Sequence, residues 1–481
     1  MNRRIAQPLL FPVLVLAGFW LLSQLTVATW LAREANQRQA DWAQGLSPWR
    51  WDFSQPAAVV RPGSHGLDAA RGTRDGLDIT LPEDGIANLS LALRGERIDT
   101  RAVSRVRMEL EAGAPARLML LAGSTGPPSV WLDATVDPGP TALELALQPF
   151  DAAPGASRAP PDGLFLRIES APGTRLTLQA LALRAAPCAG SGCPGQPHAA
   201  PFFTMPERLL AWRDARLVEH PAAAIEAAGW LGSAARALAR LTPELPQAFW
   251  RILTLPLALL VLFALARRRA ARTQTPAPAS RPLAELAIGL GLPLALLLAG
   301  WPARETPLAI TISFAACVLA LALFPAPDPP RWRGSDDRNA WRAALVFTLA
   351  AGLLLAPLGG LDDSASAPRD SARFLRYPLW ALVQQWLLLV AIAPRLRLLI
   401  PDARLAALAC GVAFGLLHAP NFALMAFTFA GGTVWAWLGW RHRALLPLAA
   451  SHAALGLWLV HLAPTWLLRS AEIGGRYLMA P

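Results

Sequence analysis

Hydrophobic residues follow an alternating pattern in the first part of this chain. Leu77, Ile79 and Leu81, for example, are each separated by one polar residue, and similar short runs recur up to residue 178. Period-two alternation buries one face of a β-strand. Turns rich in Gly, Pro and Asp separate roughly eight such runs, which predicts an antiparallel β-sandwich. Sugar-binding jelly rolls and sandwiches with a structural or protein-contacting role share this pattern, and both alternatives stay open.

Long, unbroken apolar runs mark the N-terminus and the second half of the chain. A helix of about 20 apolar residues spans a bilayer, so these runs predict about nine transmembrane helices. They lie at 9–31, 249–266, 283–301, 306–324, 341–358, 377–394, 404–420, 423–440 and 443–463. The predicted fold class is a polytopic α-helical membrane protein with an inserted extracytoplasmic antiparallel β-sandwich-like domain.

Charge sets the expected orientation and partners. The chain carries a net charge of +11, and all of its basic residues apart from histidine are arginines. Many of the arginines cluster at the ends of apolar runs instead of forming one basic face, so the bilayer and not nucleic acid is the predicted partner. Alternate loops are richer in arginine, which predicts a multi-pass bacterial inner-membrane protein with a cytoplasmic N-terminus and a periplasmic β domain.

Two of the four cysteines, Cys188 and Cys193, lie in a loop rich in Gly and Pro. A metal site would need a second Cys or His pair at ligand spacing, and none follows. Outside the cytoplasm, a local disulfide between them is expected. The sequence predicts no metal and no cofactor.

Polar residues inside apolar runs are the candidates for function, because an unsatisfied polar group in a bilayer is costly. Glu285 lies near the cytoplasmic end of its run, where it is expected to reach water, and His461 is expected on the face of its helix opposite His452. A shared polar pocket and simple hydrogen bonding between helices both remain possible for the others. Those candidates are Gln384, Gln385, His418 and His452.

The order of these residues resembles the CPBP intramembrane proteases, which include the CAAX proteases and bacteriocin-processing proteins. That family carries Glu-Glu-x-x-x-Arg, then Phe-x-x-x-His, then His-x-x-x-Asn on successive helices. Phe414 and His418 match the second motif, and His452 matches the histidine of the third. The resemblance extends over residues 377–460.

The first and third motifs depart from the family pattern. Gln384 and Gln385 stand at the two glutamates, Leu389 at the arginine and Gly456 at the asparagine. In the family the glutamate is thought to activate water, while the histidines and asparagine stabilise the oxyanion. A neutral amide can orient a water but cannot take its proton, so His418 is the alternative base, with a glutamine holding the water.

The resemblance implies an endopeptidase that acts on a membrane or lipid-proximal protein. The alternative is a catalytically inactive relative that serves as a binding, scaffold or immunity-type protein. A transporter fits less well, because no inverted repeat is visible. The expected segments are an N-terminal anchor (1–32), the β-sandwich-like domain (33–187), a Cys loop and helical neck (188–247), membrane helices (248–376), the CPBP-like core (377–465) and a C-terminal tail (466–481).

Overall fold

The computed structural model divides into two compact units. The helical unit comprises Met1–Trp30, Phe202–Ala211 and Gly229–Pro481, and the β unit comprises Leu31–Pro201 and Trp212–Ala228. The predicted spans 249–266 and 306–324 and both loop cysteines lie outside the described residues. The structure describes residues 3–54, 60, 64–67, 70–93, 98–100, 102–123, 129–147, 163–185, 197–201, 205–241, 281–300, 337–360, 371–464 and 466–479.

The β unit contains two antiparallel sheets and one short parallel pair. One sheet has the order β2-β3-β10-β5-β8, with β1 also paired to β10, and the other has the order β4-β9-β6-β7. Strands β11 and β12 form the parallel pair. The strands are β1 (Leu46–Asp52), β2 (Arg71–Gly72), β3 (Leu77–Thr80), β4 (Ile86–Leu91), β5 (Val103–Ala112), β6 (Ala116–Gly123), β7 (Ser129–Val136), β8 (Gly139–Ala146), β9 (Gly163–Glu169), β10 (Arg175–Ala185), β11 (Pro197–Ala200) and β12 (Ala224–Ala227).

The two antiparallel sheets share one hydrophobic core. Met108 of β5 lies in the same buried cluster as Leu89 of β4 and Leu166 of β9. Buried and more exposed positions alternate strictly along β4 and β9, as period-two patterning requires. The predicted antiparallel sheets are therefore confirmed, and their facing surfaces pack as a sandwich.

The remaining regular elements of the described chain are helices. The N-terminal helix α1 continues well beyond the predicted anchor, and a π-helical segment, Leu387–Ile392, interrupts the helix that carries the glutamines. The helices are α1 (Arg3–Ala43), α2 (Pro206–Glu219), α3 (Gly229–Leu241), α4 (Arg281–Leu298), α5 (Asp337–Leu355), α6 (Ser371–Trp386), α7 (Ala393–Leu399), α8 (Ala403–Leu416), α9 (Phe422–His442), α10 (Leu446–Leu462) and α11 (Gly474–Met479), with a 3₁₀ turn at Ala356–Gly360.

Several of these helices suit a membrane. In the part of the chain that the structure describes, four are long and apolar enough to span one: Leu10–Ala43, Asp337–Leu358, Arg376–Leu399 and Phe422–His442. Shorter apolar helices cover Pro282–Leu298, Ala403–Leu416 and Leu446–Leu462. Exposed leucines on α5, such as Leu353 and Leu354, form the kind of apolar surface that a helix presents to lipid.

Glycines allow α8 and α9 to pack closely. A Cβ atom at Gly432 would lie 3.3 Å from the Cα of Gly411, so the two backbones meet where neither residue has a side chain. A Cβ at Gly415 would lie 2.7 Å from the ring of Phe19 in α1. Small residues at helix interfaces permit this close approach in membrane proteins. The N-terminal helix therefore packs against the helices that carry the candidate site.

The position of Glu285 differs from the one expected from the sequence. It does not reach water, because it is 8% exposed and its carboxylate accepts a 2.5 Å hydrogen bond from Nε of Arg395. Arg395 is 1% exposed and also donates to the Ala391 carbonyl oxygen. A buried charge needs such a partner. This ion pair joins α4 to α7, directly after the π-helical segment.

Candidate active site

Three of the four predicted site residues line one cavity of the helical unit. Gln384, His418 and His452 all border a cavity of about 1030 Å³. The rest of its wall is mainly aromatic and aliphatic, with Phe347, Trp380 and Trp435 among its members. The fourth residue, Gln385, is not part of this wall. A mostly apolar cavity with a few convergent polar groups is the usual form of a binding or catalytic site.

His418 lies in the turn between α8 and α9. Its Nδ1 is 2.8 Å from the carbonyl oxygen of Phe414, one helical turn earlier. A carbonyl oxygen only accepts hydrogen bonds, so Nδ1 must carry the proton. In the neutral ring, Nε2 then holds the lone pair. Asn421 ends the turn by capping α9, because its Oδ1 accepts a 3.1 Å hydrogen bond from the backbone N–H of Leu424.

Aromatic rings hold the second histidine, His452, in place. Phe414 contacts both imidazoles edge-on, with ring centroids 5.1 Å from His418 and 5.7 Å from His452. The indole of Trp435 lies 4.7 Å from the His452 ring at a 30° tilt. His452 is 4% exposed, and its Nδ1 makes no hydrogen bond to the described residues. The Phe414 of the predicted motif therefore positions both histidines.

A chain of hydrogen bonds orients Trp435. Its indole N–H donates to Ser451 Oγ at 3.1 Å. The hydroxyls of Ser451 and Thr348 lie 2.8 Å apart, and Thr348 donates to the Ala344 carbonyl at 2.7 Å. All of these side chains are buried. The chain links α5, α9 and α10 and fixes the ring against which His452 rests.

The two adjacent glutamines occupy different environments. Gln384 borders the cavity and is half-buried, whereas Gln385 is 0% exposed. Neither amide atom of Gln385 makes a hydrogen bond within the described part of the chain. The helix becomes π-helical directly after Trp386, a distortion that is frequent at functional sites.

At the position of the family arginine, Leu389 packs against α9. A Cβ atom at Gly439 would lie 2.7 Å from Cδ2 of Leu389. The leucine is 3% exposed and belongs to a buried apolar cluster with Phe414 and Trp435. An apolar side chain thus takes the position at which the family carries an arginine.

Tyr377 is a polar member of the cavity wall that sequence reasoning missed. Its ring lies edge-on to His452, with centroids 6.4 Å apart. A Cβ atom at Gly456 would overlap its hydroxyl oxygen and lie 2.6 Å from its Cζ. The available signal was spacing, because Tyr377 precedes Gln384 by about two helical turns and so shares its face.

The C-terminal segment also contributes to the cavity. Glu472 and Arg476 border it, outside the stretch that carries the motifs. Asn421 Nδ2 donates to the carbonyls of Ser470 and Glu472 at 2.7 and 3.3 Å. The Gly474 N–H donates to the Ala419 carbonyl at 3.0 Å. This segment is therefore held against the turn that contains the first histidine.

The donor set of the cavity is not that of a metal site. Among the described residues, no group of three or more His, Cys, Asp or Glu side chains is placed to hold a metal ion. His418, His452 and Glu472 all border the cavity, but they do not form such a group.

Comparison with known proteins bears on the segment that carries the site. Residues 374–458 match the family model described as type II CAAX prenyl endopeptidase Rce1-like. This match confirms the predicted resemblance to the CPBP intramembrane proteases over that segment, which contains all four candidate site residues. No curated protein sequence matches the chain.

Two solved structures are similar to parts of the chain. A mutant of the carbohydrate-binding module CBM29-2 is 12% identical, with a TM-score of 0.17, and the match covers 29% of this chain and 81% of that one. A family two carbohydrate esterase from Cellvibrio japonicus is 17% identical, with a TM-score of 0.16, and the match covers 32% of this chain and 38% of that one.

Proposed function

We propose that this membrane protein, whose residues 374–458 are Rce1-like, hydrolyses a peptide bond in the cavity bordered by His418. The substrate class is a membrane or lipid-proximal protein. The family match supports an intramembrane protease. Because Gln384 and Gln385 are neutral where the family carries glutamates, we assign the role of base to His418.

The hydrogen bond between His418 Nδ1 and the Phe414 carbonyl carries this proposal. It assigns the proton to Nδ1 and leaves the lone pair on Nε2, the arrangement that a general base requires. Other enzymes also fix a catalytic histidine by bonding its second nitrogen. Phe414 supplies both the carbonyl oxygen that accepts this bond and the ring that contacts the His418 imidazole edge-on.

The reaction then needs no metal or cofactor. His418 Nε2 takes a proton from a water, and the resulting hydroxide attacks the scissile carbonyl carbon while the carbonyl electron pair moves to oxygen. When the tetrahedral intermediate collapses, the C–N bond breaks and the imidazolium returns its proton to the leaving amine. Gln384, which shares the cavity, holds the water by hydrogen bonding.

Glu472 is a second candidate for the base, and one observation favours it. It is a carboxylate that borders the same cavity, and its backbone is bonded to Asn421 in the turn after His418. A carboxylate is a competent general base. The two assignments are separated by their variants, His418→Ala and Glu472→Gln.

The arginine distribution supports an orientation for the whole chain. We place the N-terminus in the cytoplasm and the β-sandwich in the periplasm of a bacterial inner membrane. In that compartment Cys188 and Cys193 can form the expected disulfide. The β-sandwich then lies on the side from which it can recruit or gate a substrate.

The test compares protein termini across the envelope proteome of cells that carry wild type, a deletion, His418→Ala or Glu472→Gln. We expect a new terminus with wild type that the deletion lacks. Loss of a general base lowers the cleavage rate by about 10²–10⁴-fold, so His418→Ala should abolish that terminus. His461→Ala is the matched control, because His461 lies on the same helix as His452 but does not border the cavity.

The outcomes discriminate between the functions. Loss of the terminus with Glu472→Gln, but not with His418→Ala, would assign the base to Glu472. Identical termini in all strains, together with a partner that wild type retains and His418→Ala loses, would overturn proteolysis. The chain would then be a binding or scaffold protein with the same cavity.

A further inference from the structure

Helix α10 has a glycine, Gly456, at the point where the side chain of Tyr377 packs against it. Gly456 follows His452 by one turn and so lies on the same face. A Cβ atom there would overlap the hydroxyl oxygen of Tyr377 and lie 2.6 and 2.7 Å from its Cζ and Cε1. Three of the described glycines after residue 228 have a positive φ, and Gly456 is not among them. The backbone therefore does not require this glycine, whereas the phenol of Tyr377 does.

The phenol lies beside the imidazole of His452. The two rings meet at 89° with centroids 6.4 Å apart. Both border the cavity, together with His418 and Gln384. The Tyr377 hydroxyl therefore lies in the region where the proposed hydrolysis takes place.

Three other donors in the cavity wall are already engaged. The Trp435 N–H donates to Ser451 Oγ at 3.1 Å, and the Thr428 hydroxyl donates to the Leu424 carbonyl at 2.7 Å. The Nδ1–H of His418 donates to the Phe414 carbonyl oxygen. In contrast, the Tyr377 hydroxyl makes no hydrogen bond to the residues that the structure describes. A phenol O–H that borders a cavity is a donor available to a bound molecule.

We propose that the Tyr377 hydroxyl donates a hydrogen bond to the oxyanion of the tetrahedral intermediate. The inference rests on the proposed proteolysis. When hydroxide adds to the scissile carbonyl, the negative charge develops on oxygen, and the Tyr377 O–H stabilises it without transferring its proton. The resemblance expects an asparagine side chain at position 456, and the phenol of Tyr377 occupies that space. The Tyr377 O–H therefore takes the place of the asparagine N–H as the donor.

The first variant is Tyr377→Phe, which keeps the ring and its contact with His452 but removes the donor. Removal of one oxyanion donor typically lowers kcat by about 10²–10³-fold, because the bond forms mainly in the transition state. We expect this loss in kcat with little change in KM. The assay uses the purified full chain in lipid vesicles and a peptide that spans the terminus found in the envelope comparison.

Tyr477→Phe is the matched control. It removes the hydroxyl of the chain's other tyrosine, which donates to Glu207 and does not border the cavity. We expect its kcat to equal that of wild type. Thermal unfolding of both variants separates a loss of catalysis from a loss of folding.

A reciprocal exchange tests whether the two positions share one space. Tyr377→Ala should lose activity as Tyr377→Phe does. The double variant Tyr377→Ala/Gly456→Asn returns a donor to that space, and we expect at least about tenfold recovery of kcat over Tyr377→Ala. A structural role of the ring alone predicts no such rescue.

The outcomes separate the two proposals. If wild type cleaves the peptide and Tyr377→Phe has the same kcat, the donor role of Tyr377 is wrong and the proteolysis stands. If wild type cleaves no peptide and changes no terminus in the envelope, both proposals fall.

Discussion

At the scale of single residues, the adjacent amides of Gln384 and Gln385 lie in different environments. Gln384 borders the cavity, where water or substrate can satisfy its amide. Gln385 is fully buried, and its amide has no hydrogen-bond partner among the described residues. A buried polar group without a partner costs about 1–3 kcal/mol. We therefore assign the water-orienting role to Gln384 alone.

Replacement of Gln385 by leucine should stabilise the protein or leave its stability unchanged. The change removes an amide that makes no hydrogen bond here and keeps a side chain of similar size, so up to about 1–3 kcal/mol of desolvation cost is recovered. Gln385→Glu should do the opposite, because it buries a charge beside Leu389, which offers no counter-charge. Thermal unfolding of the purified chain in detergent measures both effects.

Gln384→Leu provides the comparison at the neighbouring position. We expect its unfolding temperature to match wild type, because Gln384 is only half-buried, while peptide cleavage falls. A Gln385→Leu variant that unfolds at markedly lower temperature would show that the Gln385 amide does have a partner, and would contradict this assignment.

At the scale of helices, the contact between α8 and α9 positions Phe414 and Trp435, the two rings that contact His452. A Cβ atom at Gly411 would overlap Thr433 Oγ1 and lie 2.5 Å from the Phe429 carbonyl oxygen. A carbonyl within a helix cannot turn away as a flexible side chain can. A side chain at 411 would therefore push the two helices apart.

Gly411→Ala should destabilise the protein and lower activity together. Overpacking at a tight contact costs about 1–3 kcal/mol, and the displacement moves Phe414, which contacts both imidazoles. Thermal unfolding and peptide cleavage are measured on the same preparation.

Gly291→Ala in α4 is the matched control, since a Cβ atom there has no described residue within 4 Å. Alanine favours the helix by about 1 kcal/mol over glycine, so this variant should be neutral or slightly stabilised. Equal stability of the two variants would mean that α8 and α9 do not pack as closely as described.

The sequence alone predicts the elements better than their contacts. Period-two runs predict the antiparallel sheets, because they depend on local order along the chain. The candidate residues Phe414, His418 and His452 follow from the resemblance to the CPBP proteases, and their role in catalysis stays a prediction. The pairing of Glu285 with Arg395 and the position of Tyr377 over Gly456 join residues far apart in sequence. Such partners depend on helix packing, which hydropathy does not encode.

At the scale of the whole molecule, the chain leaves the helical unit after Trp30 and re-enters it at Phe202. Helix α2 begins within the re-entering segment, Phe202–Ala211. Glu207, in the first turn of α2, is 2% exposed. Tyr477 Oη donates to the Glu207 carboxyl at 3.2 Å. Burial raises the pKa of Glu207, while hydrogen bonds from Tyr477 and backbone amides, including that of Ala423 at the start of α9, act in the opposite direction.

This carboxyl predicts a pH dependence of stability. The pKa of Glu207 is higher in the folded state than in the unfolded state. At low pH both states are protonated, and the free energy of unfolding has its full value there. As the pH rises, the unfolded chain releases the proton first, and stability falls until the pH passes the folded-state pKa. Glu207→Gln, which mimics the neutral acid, should remove this fall. Thermal unfolding of the full chain is measured from about pH 4 to pH 8. The unfolding temperature of Glu207→Gln should rise relative to that of wild type as the pH increases.

The control for this titration is Glu219→Gln, at the other end of α2. Glu219 is an exposed carboxylate 2.7 Å from Arg216, and its side chain is 58% exposed. Exposed pairs of this kind contribute about 0–1 kcal/mol, so its unfolding temperature should follow wild type at every pH. A difference between Glu207→Gln and wild type that stays constant with pH would mean that Glu207 titrates alike in both states. The start of α2 would then contribute packing, and no proton-linked stability, to its contacts with Tyr477 and the start of α9.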